Sequence, residues 1–146
     1  MKNNKQGFTL IELLVVIAII GLLSTLSIIA LNSARARSRD ARRVSDIKQI
    51  QTALEMYYNI EDRYPATMTS GGSIATGTYK FMTIVPSAPT PPDNPGGAAT
   101  PCDTTTNAYK YTVGTNSVTY TLTYCLGGET GGIPAGIATA TPAGVR

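Results

Sequence analysis

The sequence predicts an α+β protein: one long N-terminal helix, at about residues 8–60, whose C-terminal half packs on a small antiparallel β-sheet. The first half of the chain has few Gly or Pro and spaces its apolar residues as a helix does. Beyond residue 65, short runs rich in Thr, Tyr and Val alternate with Gly- and Pro-rich turns. The 146 residues suffice for one small domain plus a stalk.

The first half of the predicted helix has the composition of a membrane span. From Leu13 to Leu31 no residue is charged, and only three small hydroxyl residues interrupt the apolar run. At ~1.5 Å per residue, the run is about long enough to cross the roughly 30 Å hydrocarbon core of a bilayer. Glu12 directly precedes it, and an ionisable group at such a place is costly enough to indicate a function.

The second half of the predicted helix is amphipathic. Ser33–Asn59 contains no Gly or Pro, and its apolar residues recur at helical spacing. These apolar residues are Ala41, Val44, Ile47, Ile50, Leu54, Tyr57 and Tyr58. Asp40–Arg43 and Arg42–Asp46 are spaced as ion pairs on the helix surface, worth roughly 0.2–0.5 kcal/mol each. We expect this half to lay one face on the sheet.

The clearest β element is a hairpin. Its strands are Tyr109–Val113 and Val118–Tyr124, joined by a turn at residues 114–117. Apolar residues alternate with threonines in the second strand, which predicts one face for the helix and one for solvent. A shorter strand is predicted within Thr78–Val85.

Two segments lack such patterns. The Pro- and Gly-rich run at residues 86–101 is predicted to be an exposed loop of a β-rich head, residues 63–126. The tail, residues 127–146, consists mostly of Gly, Ala, Thr and Pro, so we expect it to have little secondary structure.

The composition does not favour an enzyme. The chain has no histidine, which removes the usual general base and any Ser-His or Cys-His nucleophile system. Two cysteines without histidine do not make a zinc site. We therefore expect no catalytic residue, no cofactor and no bound metal. The net charge of +3 is modest and does not by itself indicate a nucleic-acid partner.

The N-terminal residues 2–7, followed by Phe8-Thr9-Leu10-Ile11-Glu12, resemble the class III signal of type IV pilins and type II secretion pseudopilins. The match is specific because glycine, aromatic residue and glutamate stand together before a membrane-length run. The resemblance implies a pilin-like fold. It also implies that a prepilin peptidase cuts between Gly7 and Phe8 and that the new amine of Phe8 is methylated. Cleavage of an ordinary secretory signal removes its apolar region, whereas cleavage after Gly7 keeps the apolar helix as an anchor.

In this resemblance Glu12 becomes the fifth residue of the mature chain. Cleavage leaves a cationic amine on Phe8, and Glu12 of one subunit is expected to pair with the Phe8 amine of a neighbouring subunit. Burying either charge alone is costly, whereas pairing offsets much of that cost. We expect the pair to set the axial register of an assembly.

The run at residues 56–65 also resembles the helix-exit segment of major pseudopilins and small pilins, and Pro65 disfavours a helical residue before it. The family resemblance implies identical or related pilin subunits as partners in a helical homopolymer. It further implies the prepilin peptidase, an assembly ATPase, an inner-membrane platform protein, and membrane lipid before assembly. The expected location is the cytoplasmic membrane, as a single-pass protein, and later an extracellular pilus or a periplasmic pseudopilus.

Cys102 and Cys125 flank the hairpin in the region expected to be exported, which favours a disulfide between them. The bridge resembles the C-terminal region of many type IV pilins and would contribute roughly 3 kcal/mol. Major pseudopilins instead use a calcium-binding loop. Asp93, Asp103 and Glu129 are available as ligands here, but their spacing is not that of a calcium loop.

The arginine-rich segment at residues 35–43 bears on orientation and on partners. Its five arginines outnumber the lysines of the leader, so the positive-inside rule alone favours the opposite orientation. The leader motif outweighs this rule, so we expect the orientation in which the leader lies on the cytoplasmic side. We expect the arginines to contact lipid phosphates before assembly and neighbouring carboxylates after it. DNA binding is an alternative, although no interleaved aromatic residues support it.

The chain is thus predicted to have five parts: a leader that is removed (1–7), the transmembrane and filament-core half of the stem (8–32), its amphipathic half (33–62), the head (63–126) and the tail (127–146). The predicted function is that of a structural subunit, a pilin, in a type IV pilus-like filament. One alternative is a pseudopilin of a type II secretion or competence system. Another is a membrane-tethered extracellular binding domain that does not polymerise.

Overall fold

One long helix precedes the β-strands. The computed structural model describes residues 7–90, 102 and 106–145. Helix α1 covers Leu10–Glu61, 52 residues, which confirms the helix predicted at about residues 8–60. The strands that follow pair antiparallel, which confirms the α+β class. The chain forms two compact units, divided after Arg35, and each is described by itself.

The first unit contains the apolar part of α1. Every described side chain from Gly7 to Arg35 is exposed, and the helix includes a stretch long and apolar enough to cross a membrane. Within this apolar stretch, the hydroxyl groups of Ser24, Thr25 and Ser27 donate to backbone carbonyls three or four residues earlier, at 2.7–2.8 Å, so they need no outside partner. The exposed aliphatic surface is far larger than the apolar patches on soluble monomeric proteins, which indicates that lipid or other protein surrounds it.

The second unit joins the rest of α1 to two small sheets. A hairpin pairs β1 (Ile74–Thr76) with β2 (Tyr79–Met82). A four-stranded sheet has the order β3 (Lys110–Val113), β4 (Tyr120–Leu126), β5 (Gly136–Thr141), β6 (Gly144–Val145). The strand predicted within Thr78–Val85 is the short β2, and its partner β1 was not predicted.

α1 and β4 contribute most of the shared hydrophobic core. The buried residues of this cluster on these two elements are Ile47, Ile50, Ala53, Leu54, Tyr120, Leu122, Tyr124 and Leu126. The threonines between the buried residues of β4 are exposed or half-buried, which confirms the predicted two-faced strand. Val118, which we expected on the apolar face, precedes β4 and is 51% exposed.

The predicted hairpin is confirmed. β3 pairs with β4 so that Lys110 lies opposite Thr123 and Val113 opposite Tyr120. The connection is a short 3-10 turn in which Asn116 has a positive φ of 58°, a conformation that asparagine tolerates better than most residues.

The expectation that the tail has little secondary structure is wrong. β5 and β6 both lie within it, and β5 pairs with β4 from Leu122 opposite Ala140 to Leu126 opposite Gly136. The reason is an alternation that the composition obscures: Ala138 and Ala140 are buried, Ile137 is exposed and Thr139 is half-buried. The sheet therefore continues to residue 145 instead of ending at residue 126.

Buried and half-buried tyrosines are expected to make stability sensitive to alkaline pH. Burial raises the pKa of Tyr111, Tyr120 and Tyr124 to about 12, and burial together with the Asp46 carboxylate raises the pKa of Tyr109 further. The ordinary tyrosine pKa is about 10. Because the folded state holds these protons more tightly, their contribution is complete below about pH 10 and is lost as the pH rises towards 12.

We expect the urea midpoint of the chain in detergent, followed by circular dichroism, to be flat from pH 8 to about pH 10 and to fall above it. Tyr124→Phe should reduce the fall. The Tyr124 hydroxyl is buried without a hydrogen-bond partner among the described residues, so this change should cost little at neutral pH. Tyr79→Phe, at a position 58% exposed, is the control that should keep the wild-type profile. A midpoint unchanged up to pH 12 would contradict the prediction.

Candidate processing and assembly site

The bond expected to be cut is accessible. Gly7, Phe8 and Thr9 precede the helix without regular structure, and the Phe8 side chain is 89% exposed. The first helical bond runs from the Leu13 amide to the Thr9 carbonyl, at 3.3 Å. A peptidase needs an accessible bond, and Gly7 and Phe8 are both exposed and lie outside the helix.

Glu12 closes a capping box at the start of α1. Its Oε2 accepts hydrogen bonds from the Thr9 amide at 2.8 Å and from the Thr9 hydroxyl at 2.7 Å. In return, the Glu12 amide donates to the Thr9 hydroxyl at 3.3 Å. Thr9 is thus the N-cap residue and Glu12 the third helical residue, and each satisfies a backbone donor of the other.

This local role of Glu12 was missed in the sequence, although its signal was present. A Thr followed three residues later by Glu, just before an apolar run, is the pattern of a capping box. Both contacts use Oε2, and within the described part of the chain no hydrogen bond reaches Oε1. A second donor therefore has an oxygen to bind without disrupting the cap.

The second unit contains the predicted disulfide. Cys102 and Cys125 are bonded, with their Cα atoms 5.6 Å apart, and both are buried. The bridge closes a loop of sequence separation 23, which includes β3 and most of β4.

A buried polar cluster, which we call the clasp, connects α1 to the segments around the disulfide. Asp40 accepts from Arg43 Nη1 at 2.7 Å and from the backbone amides of Gly127 and Gly128, both at 2.9 Å. Arg43 Nη2 donates to the Asn107 side-chain oxygen and to the Pro89 carbonyl, both at 3.0 Å. The Asn107 amide group also donates to the Pro89 carbonyl, at 3.1 Å.

The clasp corrects the expectation that Asp40 and Arg43 form a surface ion pair. Arg43 is 0% exposed and Asp40 2%, so this arginine is not available to lipid. Arg42 and Asp46 do form the predicted pair, at 3.9 Å, with the Arg42 side chain largely exposed. The same Oδ2 of Asp46 also accepts a hydrogen bond from the Tyr109 hydroxyl at 2.9 Å, which connects the residue before β3 to the helix.

The possible calcium ligands are not assembled by the described residues. Glu129 is exposed, and Asp93 and Asp103 lie outside the described part of the chain. Within residues 7–90, 102 and 106–145, no group of three or more His, Cys, Asp or Glu side chains could hold a metal ion.

Comparison with known proteins identifies relatives over part of the chain. The family model described as the prokaryotic N-terminal methylation motif matches residues 2–28. The chain is 39% identical to the type II secretion system core protein G of Aeromonas hydrophila over 66 residues, 45% of this chain and 46% of that protein. It is 39% identical to the type IV major pilin protein PilA of Myxococcus xanthus over 61 residues, 42% and 28% of the two chains.

A third relative is the type IV major fimbrial protein FimA of Dichelobacter nodosus, 46% identical over 55 residues, 38% of this chain and 35% of that protein. The chain spans less than half the length of each of these relatives. No solved structure matches it. The chain thus carries the prokaryotic N-terminal methylation motif and is related over part of its length to type IV pilins and to type II secretion core proteins, which confirms the resemblance seen at its N-terminus.

Proposed function

We propose that this chain is a structural subunit, with no catalytic role, of a type IV pilus-like filament. A prepilin peptidase cleaves it between Gly7 and Phe8 and methylates the Phe8 amine. The subunit is anchored in the cytoplasmic membrane before assembly. An ATPase and a membrane platform protein then drive its assembly, in which α1 makes the contacts between subunits. The filament lies outside the cell, or in the periplasm if the chain is a pseudopilin.

One observation carries the proposal: an accessible Gly7–Phe8 bond stands directly before a capped helix whose first, apolar part is wholly exposed. An exposed apolar helix needs lipid in one state and other subunits in another. The similarity to a type II secretion core protein supports a second candidate function, that of a pseudopilin. A pseudopilin would be processed by the same route.

The capping box supports a specific role for Glu12. Its Oε2 is held by Thr9, so the carboxylate has a fixed direction before any subunit arrives. Once cleavage has exposed an amine on Phe8, the Oε1 of Glu12 is the acceptor we assign to the Phe8 amine of a neighbouring subunit. A pre-oriented carboxylate loses less conformational entropy on pairing than a free one.

Glu12→Gln is expected to leave membrane insertion and cleavage intact and to reduce filament yield by at least about tenfold, since it removes the charge but keeps a capping side chain. Glu12→Ala removes both and should be no better. Yield is measured by immunoblotting of sheared filaments against total membrane protein. Mass spectrometry of the mature chain, with a methylated Phe8 as its first residue, verifies processing.

Thr9→Ala is the matched control for the cap. It removes the N-cap hydroxyl, worth about 1 kcal/mol locally, but retains the carboxylate of Glu12. We expect a smaller loss of filaments than with Glu12→Gln. Normal yield from Glu12→Gln would refute the pairing, and an intact Met1 leader on assembled chains would refute the processing. Correctly processed chains found only as monomers would support the tethered binding domain instead.

A further inference from the structure

The clasp and the disulfide are adjacent along the chain at both ends of the bridged loop. Asn107 follows Cys102 by five residues, and Gly127 follows Cys125 by two. The Cys102 Sγ also lies 3.3 Å from the carbonyl oxygen of Leu126, the residue before Gly127. The bridge therefore fixes, relative to each other, the two segments that supply the partners of Asp40 and Arg43.

The buried charges of Asp40 and Arg43 need these hydrogen-bond partners. Asp40 is 2% exposed, and its carboxylate is satisfied by Arg43 and by two backbone amides from residues 87 and 88 positions away. Two ions buried together are stable only when further hydrogen bonds satisfy them in good geometry. A small displacement of Gly127 and Gly128 leaves Asp40, only 2% exposed, with unmet hydrogen-bonding capacity.

We propose that oxidation of Cys102 and Cys125 closes the clasp, so that docking of the segments around residues 107 and 127 onto α1 is controlled by thiol redox state. In the oxidation, the two thiols lose two protons and two electrons and form one S–S bond. A protein or small-molecule disulfide accepts them and becomes a dithiol. With free thiols the β3–β4–β5 ladder persists, but the clasp opens. The proposal concerns a single subunit and goes beyond the proposed function, since it does not require a filament.

The ladder is expected to persist because, of the residues that pair in it, only Cys125, opposite Ile137, takes part in the bridge. β4 pairs with β3 through four residue pairs and with β5 through five, and its buried residues other than Cys125 lie in the core cluster. The clasp instead depends on loop segments at residues 89, 107 and 127–128. Local opening therefore costs less at the clasp than in the sheet.

The test measures amide hydrogen exchange by NMR on the full chain in detergent micelles, oxidised and after reduction with excess dithiothreitol, with reduction verified by thiol titration. We expect the Gly127 and Gly128 amides to exchange at least about 10-fold faster after reduction, while ladder amides at Ala138 and Ala140 change by less than about 3-fold. The double variant Cys102→Ser with Cys125→Ser should match the reduced chain and show no response to dithiothreitol.

Asp40→Asn tests whether the clasp is the element that the bridge controls. In the oxidised chain it should speed the exchange of Gly127 and Gly128 by about 10-fold, and reduction should then add little, because both changes open the same contact. Asp46→Asn is the matched control, a buried carboxylate on the same helix outside the clasp, and should leave these two amides unchanged.

Two results would overturn the proposal. One is exchange at Gly127 and Gly128 that reduction leaves within about 2-fold. The other is acceleration of the Ala138 and Ala140 amides equal to that of the glycines, which would mean that the bridge stabilises the whole sheet and not the clasp. Both readings come from the wild-type chain, so they stand even if a variant fails to fold. Neither depends on filament formation.

Discussion

Arg43→Ala is expected to lower the free energy of unfolding of the second unit by about 3–5 kcal/mol, the range for breaking a buried ion pair by removing one partner. The guanidinium is fully buried and donates to Asp40, Asn107 and the Pro89 carbonyl at 2.7–3.0 Å. Truncation leaves three acceptors without this donor and removes a large side chain from the interior. Urea unfolding in detergent, read by circular dichroism, measures the loss.

The neighbouring Arg42 supplies the control. Its side chain is 67% exposed and its pair with Asp46 is loose, at 3.9 Å. Arg42→Ala should therefore change the unfolding free energy by no more than about 1 kcal/mol. Equal effects of the two substitutions would mean that the burial of Arg43 does not govern stability. Arg43→Lys should not restore it, because a single ammonium cannot reproduce the planar fork that reaches three acceptors.

Leu54→Ala is expected to cost about 2–5 kcal/mol, because it removes methyl groups from the centre of the core and leaves a cavity. Leu54 is 0% exposed and belongs to the cluster that includes Tyr120 and Leu122. Ile60→Ala, at a position on the same helix that is 50% exposed, should cost no more than about 1 kcal/mol. Unfolding midpoints of the two variants measured together test the difference. A Leu54 variant as stable as the Ile60 variant would place the core elsewhere.

The parts of the fold that depend on local pattern could be predicted from the sequence. α1 follows from the 3.6-residue spacing of its apolar positions, and the β3–β4 hairpin from strict alternation around a turn. β5 was missed because its alternation is carried by Ala138 and Ala140, small residues that composition alone assigns to irregular chain. Their burial depends on the pairing of β5 with β4, and that pairing cannot be predicted from the local sequence pattern.

The site shows the same division. Thr9 and Glu12 are three residues apart, so their capping box is fully encoded in a short motif. Asp40 and Arg43 are also three residues apart, and their contact was predicted, but their burial was not. That burial is decided by Asn107 and by the glycines after Cys125, which are 64 to 88 positions away.

The inward orientation of Asp40 and Asp46 determines the charge that the helix presents to its surroundings. Between residues 36 and 54, the charged side chains of α1 left exposed are Arg37, Arg42 and Lys48, all cationic. Where copies of this part of α1 come close, these cations would repel one another over a distance that shrinks from about 10 Å in 0.1 M salt to about 3 Å in 1 M salt. The spacing of such helices side by side in an assembly is therefore expected to depend on the ionic strength of the medium.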